Sequence, residues 1–150
     1  MDKILLRSDQ ERIAILTLNS PKNLNALSEA MLEALKLNLE EIGESKKIKS
    51  VIIKASGRAF CPGHDLKEMQ GKRALENDGG KAYFEKLLSK CTYVMKLIRE
   101  LPQPVIAEVQ GVAAAAGCQL VATCDIAVAS EEASFGVNGV CLLYTSPSPR

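Results

Sequence analysis

Short apolar runs rich in β-branched residues alternate along this chain with longer segments whose apolar residues recur every three or four positions. The runs are predicted to be strands, and they cover residues 11–18, 50–54, 105–109 and 125–130. The longer segments are predicted to be helices at 28–43 and 81–100. Strands separated by helices favour crossover connections between parallel neighbours. The sequence therefore predicts the α/β fold class with a largely parallel sheet.

The predicted helices carry recognisable end signals. Ser28 is placed to cap the first helix and Gly43 to end it. Pro102 and Pro104 stop the second helix. Its apolar stripe is predicted to contain Phe84, Leu87, Leu88, Cys91, Met95 and Ile98. A third, short helix is predicted at 118–124, and the polar, glycine-tipped stretch 70–80 is predicted to be a surface connection.

Composition excludes several classes of function. Nineteen basic and 18 acidic residues leave a net charge of +1, and only 4% of residues are aromatic, which disfavours nucleic-acid binding. No apolar run approaches the roughly 20 residues of a membrane helix, and residues 1–7 lack the character of a signal or transit peptide. The five cysteines form no Cys-x-x-Cys pair and are predicted to be reduced thiols in an intracellular protein. Cys61 and His64 are too few ligands for zinc, so we expect no metal site.

Two loops of small residues follow predicted strands, at 63–65 and at 113–117. Open parallel sheets bind ligands at the carboxyl ends of their strands. The second loop enters a helix, so the amide of Ala116 is expected at a positively polarised helix N-terminus. If the amide of His64 faces the same space, the two N–H groups form an oxyanion hole. The alternative is that residues 113–117 only let a helix pack closely against a strand.

Other polar residues give weaker signals. A Ser–His–Asp arrangement is disfavoured because His64 is the only histidine and the adjacent Asp65 is expected to point the other way. Four further residues are predicted to be ordinary surface positions: Lys67, Glu68, Gln119 and Asp125. Of these, Lys67 is also a candidate partner for a ligand phosphate.

Three motifs in a fixed order resemble the crotonase, or enoyl-CoA hydratase/isomerase, superfamily. They lie at residues 16–27, 57–66 and 104–120, and the resemblance continues through 124–126 and 133–135. It implies a spiral of ββα units and a role in fatty-acid metabolism. The implied partners are acyl-CoA thioesters, with coenzyme A entering as part of the substrate rather than as a cofactor. Homotrimers or hexamers are implied for full-length relatives.

The resemblance also assigns site residues. The two oxyanion amides fall on His64 and Ala116. The coenzyme A contacts fall on Asn23, Leu24, Ala26, His64, Asp65, Leu66 and Lys67. Gln119 stands where hydratases of the family carry a glutamate, and an amide can position a water but cannot accept its proton. The family's second glutamate is expected beyond Phe135, where the resemblance is lost.

Three functional interpretations follow. The first is an enoyl-CoA hydratase-like enzyme, and the second is a CoA-thioester-binding or regulatory homologue without turnover. The third is a relative that shares only the fold and serves for interaction. Residues 1–140 are predicted to be a partial N-terminal crotonase core, and residues 141–150 a poorly ordered tail foreign to the family. Mitochondrial residence is implied by the resemblance, with the cytoplasm as the alternative for a chain without a transit peptide.

Overall fold

A computed structural model of the chain describes residues 3–75 and 78–137. Its strands are β1 (Leu5–Gln10), β2 (Ile13–Leu18), β3 (Ser50–Ala55), β4 (Ala59–Cys61), β5 (Val105–Val109), β6 (Val112–Ala114), β7 (Ile126–Ala129) and β8 (Ser134–Gly136). Its α-helices are α1 (Glu29–Glu44), α2 (Leu66–Leu75), α3 (Lys81–Glu100) and α4 (Ala116–Thr123). The order repeats a unit of two strands followed by helix, which confirms the expected ββα spiral. The predicted tail, 141–150, lies outside the described residues.

The strands form two sheets. The larger has the order β1-β2-β3-β5-β7, in which β1 and β2 are antiparallel and all other neighbours are parallel. The smaller sheet, β4-β6-β8, is entirely parallel. Both sheets thus take one strand from each of the later ββα units. The predicted α/β class with a largely parallel sheet is confirmed.

Helix α1 begins as its sequence predicts. The Ser28 Oγ accepts a hydrogen bond from the Met31 amide at 3.2 Å, and the buried face of the helix joins the main hydrophobic core. The helix continues through Gly43 and ends at Glu44, so the prediction that Gly43 ends it was wrong. A side chain at Gly43 would place its Cβ 3.2 Å from the Leu101 side chain, so this glycine provides space rather than a stop signal.

Helix α3 has the predicted bounds but a different buried face. Tyr83 and Val94 are buried, whereas Leu88 is 53% exposed. Each helical residue advances about 100° around the axis, so Leu88 lies well off the stripe that contains the buried Leu87. The helix therefore packs against α1 with a stripe that the leucines alone did not identify.

Five of the strands and α-helices were not predicted, namely β1, β4, β6, β8 and α2, and β6 and β8 have only three residues each. Strand β1 lies at the edge of its sheet and buries only Leu5, so its apolar pattern is weak. Strand β4 is buried throughout but has only three residues, which is too short to show a period within the predicted loop. Helix α2 replaces the first part of the predicted connection at 70–80, and it has no buried stripe to reveal it.

Candidate functional site

A cavity of about 530 Å³ opens beside the first turn of α2 and the strand end that precedes α4. All seven residues that the resemblance assigns to coenzyme A contacts line it: Asn23, Leu24, Ala26, His64, Asp65, Leu66 and Lys67. The other lining residues are Lys22, Pro62, Met69, Ala114 and Ala115. Segments far apart in sequence therefore meet at one concave surface of the size that small-molecule sites have.

The loop before α1 is fixed by Asn25, a residue to which the sequence analysis gave no role. Its side chain is fully buried, and its Oδ1 accepts a hydrogen bond from the Ser20 amide at 2.8 Å. Its Nδ2 donates to the carbonyls of Ser56 and Ala59 at 2.8 and 2.9 Å. The backbone is left-handed here, with φ of 55° at Leu24 and 61° at Asn25. Asparagine tolerates that conformation, which is the signal that could have identified the position.

The loop between β4 and α2 lies directly against the start of α4. The Leu27 amide donates to the Gly63 carbonyl at 2.8 Å, which holds this loop beside the entry to α1. Gly63 has a φ of +110°, and a Cβ there would lie 3.2 Å from the Cβ of Ala115 and 3.3 Å from the Ala116 nitrogen. Glycine is required by both the conformation and the space. The residue before His64 therefore touches the N-terminus of α4.

Helix α4 begins at Ala116, two residues earlier than predicted. Ala115 precedes it with a φ of 48°, a strained conformation for a residue with a side chain, and its amide donates to the Gly136 carbonyl at 2.8 Å. Among the described residues, neither the Ala116 nor the His64 amide has a backbone or side-chain acceptor. Two uncommitted N–H groups thus flank the contact at Gly63, one of them at a helix N-terminus.

The small residues around α4 also serve close packing, as the alternative interpretation predicted. A Cβ at Gly117 would overlap the Cys61 carbonyl oxygen, and one at Gly111 would overlap the Arg58 carbonyl oxygen. Backbone therefore lies directly on backbone between β4 and the β6–α4 segment. The same run of sequence meets a packing requirement and sets the position of the Ala116 amide.

The His64 side chain is half-buried in the cavity wall. Its Nδ1 is enclosed and has no hydrogen-bond partner among the described residues. Burial lowers the pKa of His64, and the neighbouring Leu27 backbone only partly opposes the shift. The imidazole is therefore neutral at pH 7.

Asp65 and Glu68 each hold a helix terminus in place. The Asp65 Oδ1 accepts hydrogen bonds from the amides of Lys67 and Glu68 at 3.0 and 3.1 Å, so its carboxylate caps α2 rather than orienting His64. The Glu68 Oε2 accepts from the Glu29 amide at 3.0 Å and joins α2 to the first turn of α1. The prediction that Glu68 lies on a solvated face was wrong, because this amide needs an acceptor. Lys67 is exposed at the cavity.

Gln119 lies away from this cavity. Helix α4 buries Gly117, Leu120 and Val121, so Gln119 faces the opposite side and is exposed. It lines a second depression, together with Arg99, Ala122, Thr123, Cys124 and Asp125. Asp125 is exposed and directly precedes β7, as predicted, and its Oδ2 also accepts a hydrogen bond from the Val105 amide at 2.8 Å.

No helix within 3–75 or 78–137 is long and apolar enough to cross a bilayer. No three His, Cys, Asp or Glu side chains in those ranges are grouped so that they could hold a metal ion.

The chain belongs to the enoyl-CoA hydratase/isomerase family, which it matches over residues 8–146. The rat mitochondrial protein named enoyl-CoA hydratase domain-containing protein 3 is 46% identical over 131 residues, or 87% of this chain and 42% of the rat protein. The human counterpart is 48% identical over 125 residues, or 83% of this chain and 39% of the human protein.

Solved structures agree with this placement in the crotonase fold. The enoyl-CoA hydratase of Mycobacterium smegmatis superposes with a TM-score of 0.88 at 49% identity, over 95% of this chain and 54% of that one. The human domain-containing protein 3 superposes with a TM-score of 0.84 at 42% identity, over 94% of this chain and 53% of that one. The chain thus spans about half the length of the relatives it matches.

Proposed function

We propose that this chain carries the acyl-CoA thioester site of an enoyl-CoA hydratase-like protein of fatty-acid metabolism. The observation that carries the proposal is the close approach of Gly63 to the start of α4, where an added Cβ would lie 3.3 Å from the Ala116 nitrogen, while His64, Ala114 and Ala115 line the cavity. Membership in the enoyl-CoA hydratase/isomerase family supports the same reading.

In this proposal the amides of His64 and Ala116 form an oxyanion hole for the thioester carbonyl. An N–H group aimed at an oxygen that gains charge is worth about 3 kcal/mol of transition-state stabilisation. The position of Ala116 at the start of α4 adds the positive end of the helix dipole. Lys22 and Lys67, both at the cavity, would pair with the phosphates of coenzyme A.

The second candidate is a thioester-binding protein without turnover. It is favoured by one observation, namely that the residue at the family's glutamate position is an exposed amide, Gln119, outside the cavity. A protein of this kind would polarise the thioester carbonyl and leave the double bond unchanged.

Crotonyl-CoA labelled with ¹³C at the thioester carbonyl tests the proposal. Calorimetry should detect binding, and the infrared carbonyl stretch should move to lower frequency on the protein because both amides donate to the oxygen. Absorbance of the enoyl thioester in the same sample distinguishes an enzyme, which consumes it, from a silent binding protein, which does not.

Two variants of Ala116 sharpen this experiment. Proline is tolerated at the first position of a helix but has no N–H, so Ala116→Pro should abolish the carbonyl shift. Ala116→Ser retains the N–H and is the matched control. Circular dichroism melts of both variants report folding. A folded Ala116→Pro variant that shifts the carbonyl as the wild type does would refute the oxyanion hole.

Mitochondrial residence is a further part of the proposal, supported by the names of the vertebrate relatives. Fractionation of cells that express the complete coding sequence would test it. Recovery in the mitochondrial fraction is expected, and recovery in the cytosol would contradict it.

A further inference from the structure

The five-stranded sheet has a second face, opposite to the one that joins the hydrophobic core. Alternate residues of β2, β3 and β5 belong to the core, for example Leu16, Ile53 and Ala107. The residues between them point to the other side of the sheet. On that side, four neighbouring strands each place one isoleucine in a single register row, called here the isoleucine row: Ile15, Ile52, Ile106 and Ile126.

This second face is apolar and open to solvent. Ile126 is exposed, and Ile15, Ile52 and Ile106 are partly exposed although they flank one another. Val128, two residues after Ile126 on the same face, is exposed as well. The face shares no residue with the lining of the cavity. A contiguous apolar patch that solvent reaches is typical of a surface that packs against another protein layer.

The charges on the face indicate which partner fits it. Lys54 of β3 and Glu108 of β5 lie two residues after Ile52 and Ile106, and the Lys54 Nζ is 3.7 Å from the Glu108 Oε1. This ion pair lies across the boundary between β3 and β5, which is also the midpoint of the isoleucine row. The row and the ion pair therefore share one line of symmetry.

A half-turn about that line, taken between two facing sheets, exchanges β3 with β5 and β2 with β7. It places the isoleucine row on its own copy and places Lys54 opposite Glu108 of the copy. A half-turn about an axis across the strands would place β3 on its own copy, and Lys54 would then meet Ser50 rather than an acidic residue. The arrangement of charges thus selects the axis along the strands.

We propose that this face binds the same face of a second copy of the chain, in a dimer whose two-fold axis follows the boundary between β3 and β5. Such a contact is self-complementary, as a two-fold interface must be. Four strands spaced about 4.8 Å apart make a contact only about 20 Å wide, which is small for a protein interface. The dimer is therefore of the weak, reversible class, with a Kd on the order of 100 μM.

Sedimentation equilibrium of the wild-type chain tests the inference, over concentrations from tenfold below to tenfold above that Kd. The average mass should rise from that of a monomer towards that of a dimer and should not exceed it. A chain that stays monomeric would overturn the inference. A trimer or open-ended growth would also overturn it, because a single two-fold contact closes at two copies.

Charge-exchange variants test the pairing of Lys54 with Glu108. Lys54→Glu and Glu108→Lys each bring like charges together across the interface, so each should weaken dimerisation by about tenfold or more. The variant with both substitutions restores opposite charges and should dimerise with a Kd within about threefold of the wild-type value. Glu85→Lys alters the net charge as Glu108→Lys does, but it lies exposed on α3 and should leave the Kd unchanged.

Single variants that dimerise like the wild type, or a double variant that does not recover, would overturn the inference. Thermal melts report folding of each variant. Cross-linking with a carbodiimide, which joins lysine to carboxylate, needs no variant. In an equal mixture of ¹⁴N and ¹⁵N wild-type chains, mass spectrometry should find Lys54 joined to Glu108 of a chain with the other label. Lys54–Glu108 cross-links confined to chains of one label would contradict the dimer.

Discussion

At the scale of single residues, backbone positions define this cavity more than side-chain chemistry does. The buried Asn25 side chain fixes one loop with three hydrogen bonds, and Gly63 and Gly117 allow backbone segments to approach closely. The sequence motifs identified seven of the twelve lining residues, because a family resemblance transfers positions directly. They did not reveal Asn25, since a sequence does not show which polar side chain is enclosed. They also did not show that Gln119 faces away, because which face of a short helix is buried depends on tertiary packing.

Replacement of Asn25 should strongly destabilise the fold. Asn25→Ala leaves the Ser20 amide and the carbonyls of Ser56 and Ala59 without their partner, and we expect a loss of about 3 kcal/mol in the free energy of unfolding. Urea denaturation measures this loss. The exposed Asn23 provides the control, because Asn23→Ala should change stability by less than about 0.5 kcal/mol. Equal effects of the two variants would contradict the role of Asn25.

Two glycine-to-alanine variants should change the free energy of unfolding in opposite directions. Gly117→Ala forces a Cβ into the Cys61 carbonyl and should cost at least about 2 kcal/mol. Gly71 lies inside α2 with nothing near its missing Cβ, so Gly71→Ala should stabilise by roughly 0.5–1 kcal/mol. Thermal melts compare the pair. Similar melting temperatures for both variants would show that the backbone contact is less close than described.

Stability should fall as the pH drops below neutrality. Burial lowers the pKa of His64 in the folded chain relative to about 6.5 in the unfolded chain, so the unfolded chain binds more protons between these two values. The free energy of unfolding therefore has its full value above pH 6.5. It decreases as the pH falls towards the pKa of His64 in the folded chain. Urea titrations at pH 7.5 to 5.5, about one unit on each side of that value, measure the slope. His64→Gln should abolish it, because the chain has one histidine.

At the scale of elements, the sequence predicted those that combine length with a buried face. Helices α1 and α3 and strands β2, β3 and β5 fall into this group; α3 and β5 have the predicted bounds, and the others differ from the prediction by one or two residues. Strand β7 was also predicted, although all four of its residues are exposed. The missed elements are helix α2, the edge strand β1 and the three-residue strands β4, β6 and β8. Helix α2 is the clearest case, because its position depends on the cap at Asp65 and on the link from Glu68 to α1.

Loss of the hydrogen bond between Glu68 and the Glu29 amide should therefore lower the free energy of unfolding measurably. Glu68→Ala removes the acceptor of the Glu29 amide, and we expect a loss of about 1 kcal/mol in the free energy of unfolding. Glu85 on α3 is exposed, and Glu85→Ala should have almost no effect. Denaturation of the two variants under the same conditions gives the comparison. No difference between them would mean that water replaces the carboxylate without cost.

At the scale of the whole molecule, the described sheets end at strands with exposed apolar side chains. Ile126 and Val128 of β7 are 55% and 58% exposed, and Phe135 of β8 is 51% exposed. Exposed strand edges of this composition favour association between chains. The chain covers about half of the length of its solved relatives.

A charge on β7 should suppress that association. Val128→Lys should lower the scattering of concentrated samples while changing the free energy of unfolding by less than about 0.5 kcal/mol, since Val128 is exposed. Light scattering over a range of protein concentrations measures the first effect, and urea denaturation the second. Unchanged scattering would indicate that β7 does not mediate self-association.

The N–H groups at His64 and Ala116, which have no acceptor within residues 3–75 and 78–137, have an unusual genetic property. They belong to the main chain, so nineteen of the twenty amino acids would supply them and only proline would not. In a saturation mutagenesis library selected for these donors alone, both positions would accept every amino acid except proline. The side chain at position 64 is therefore open to evolutionary change without loss of the donor beneath it. New chemistry can be acquired there while the older function of the backbone persists.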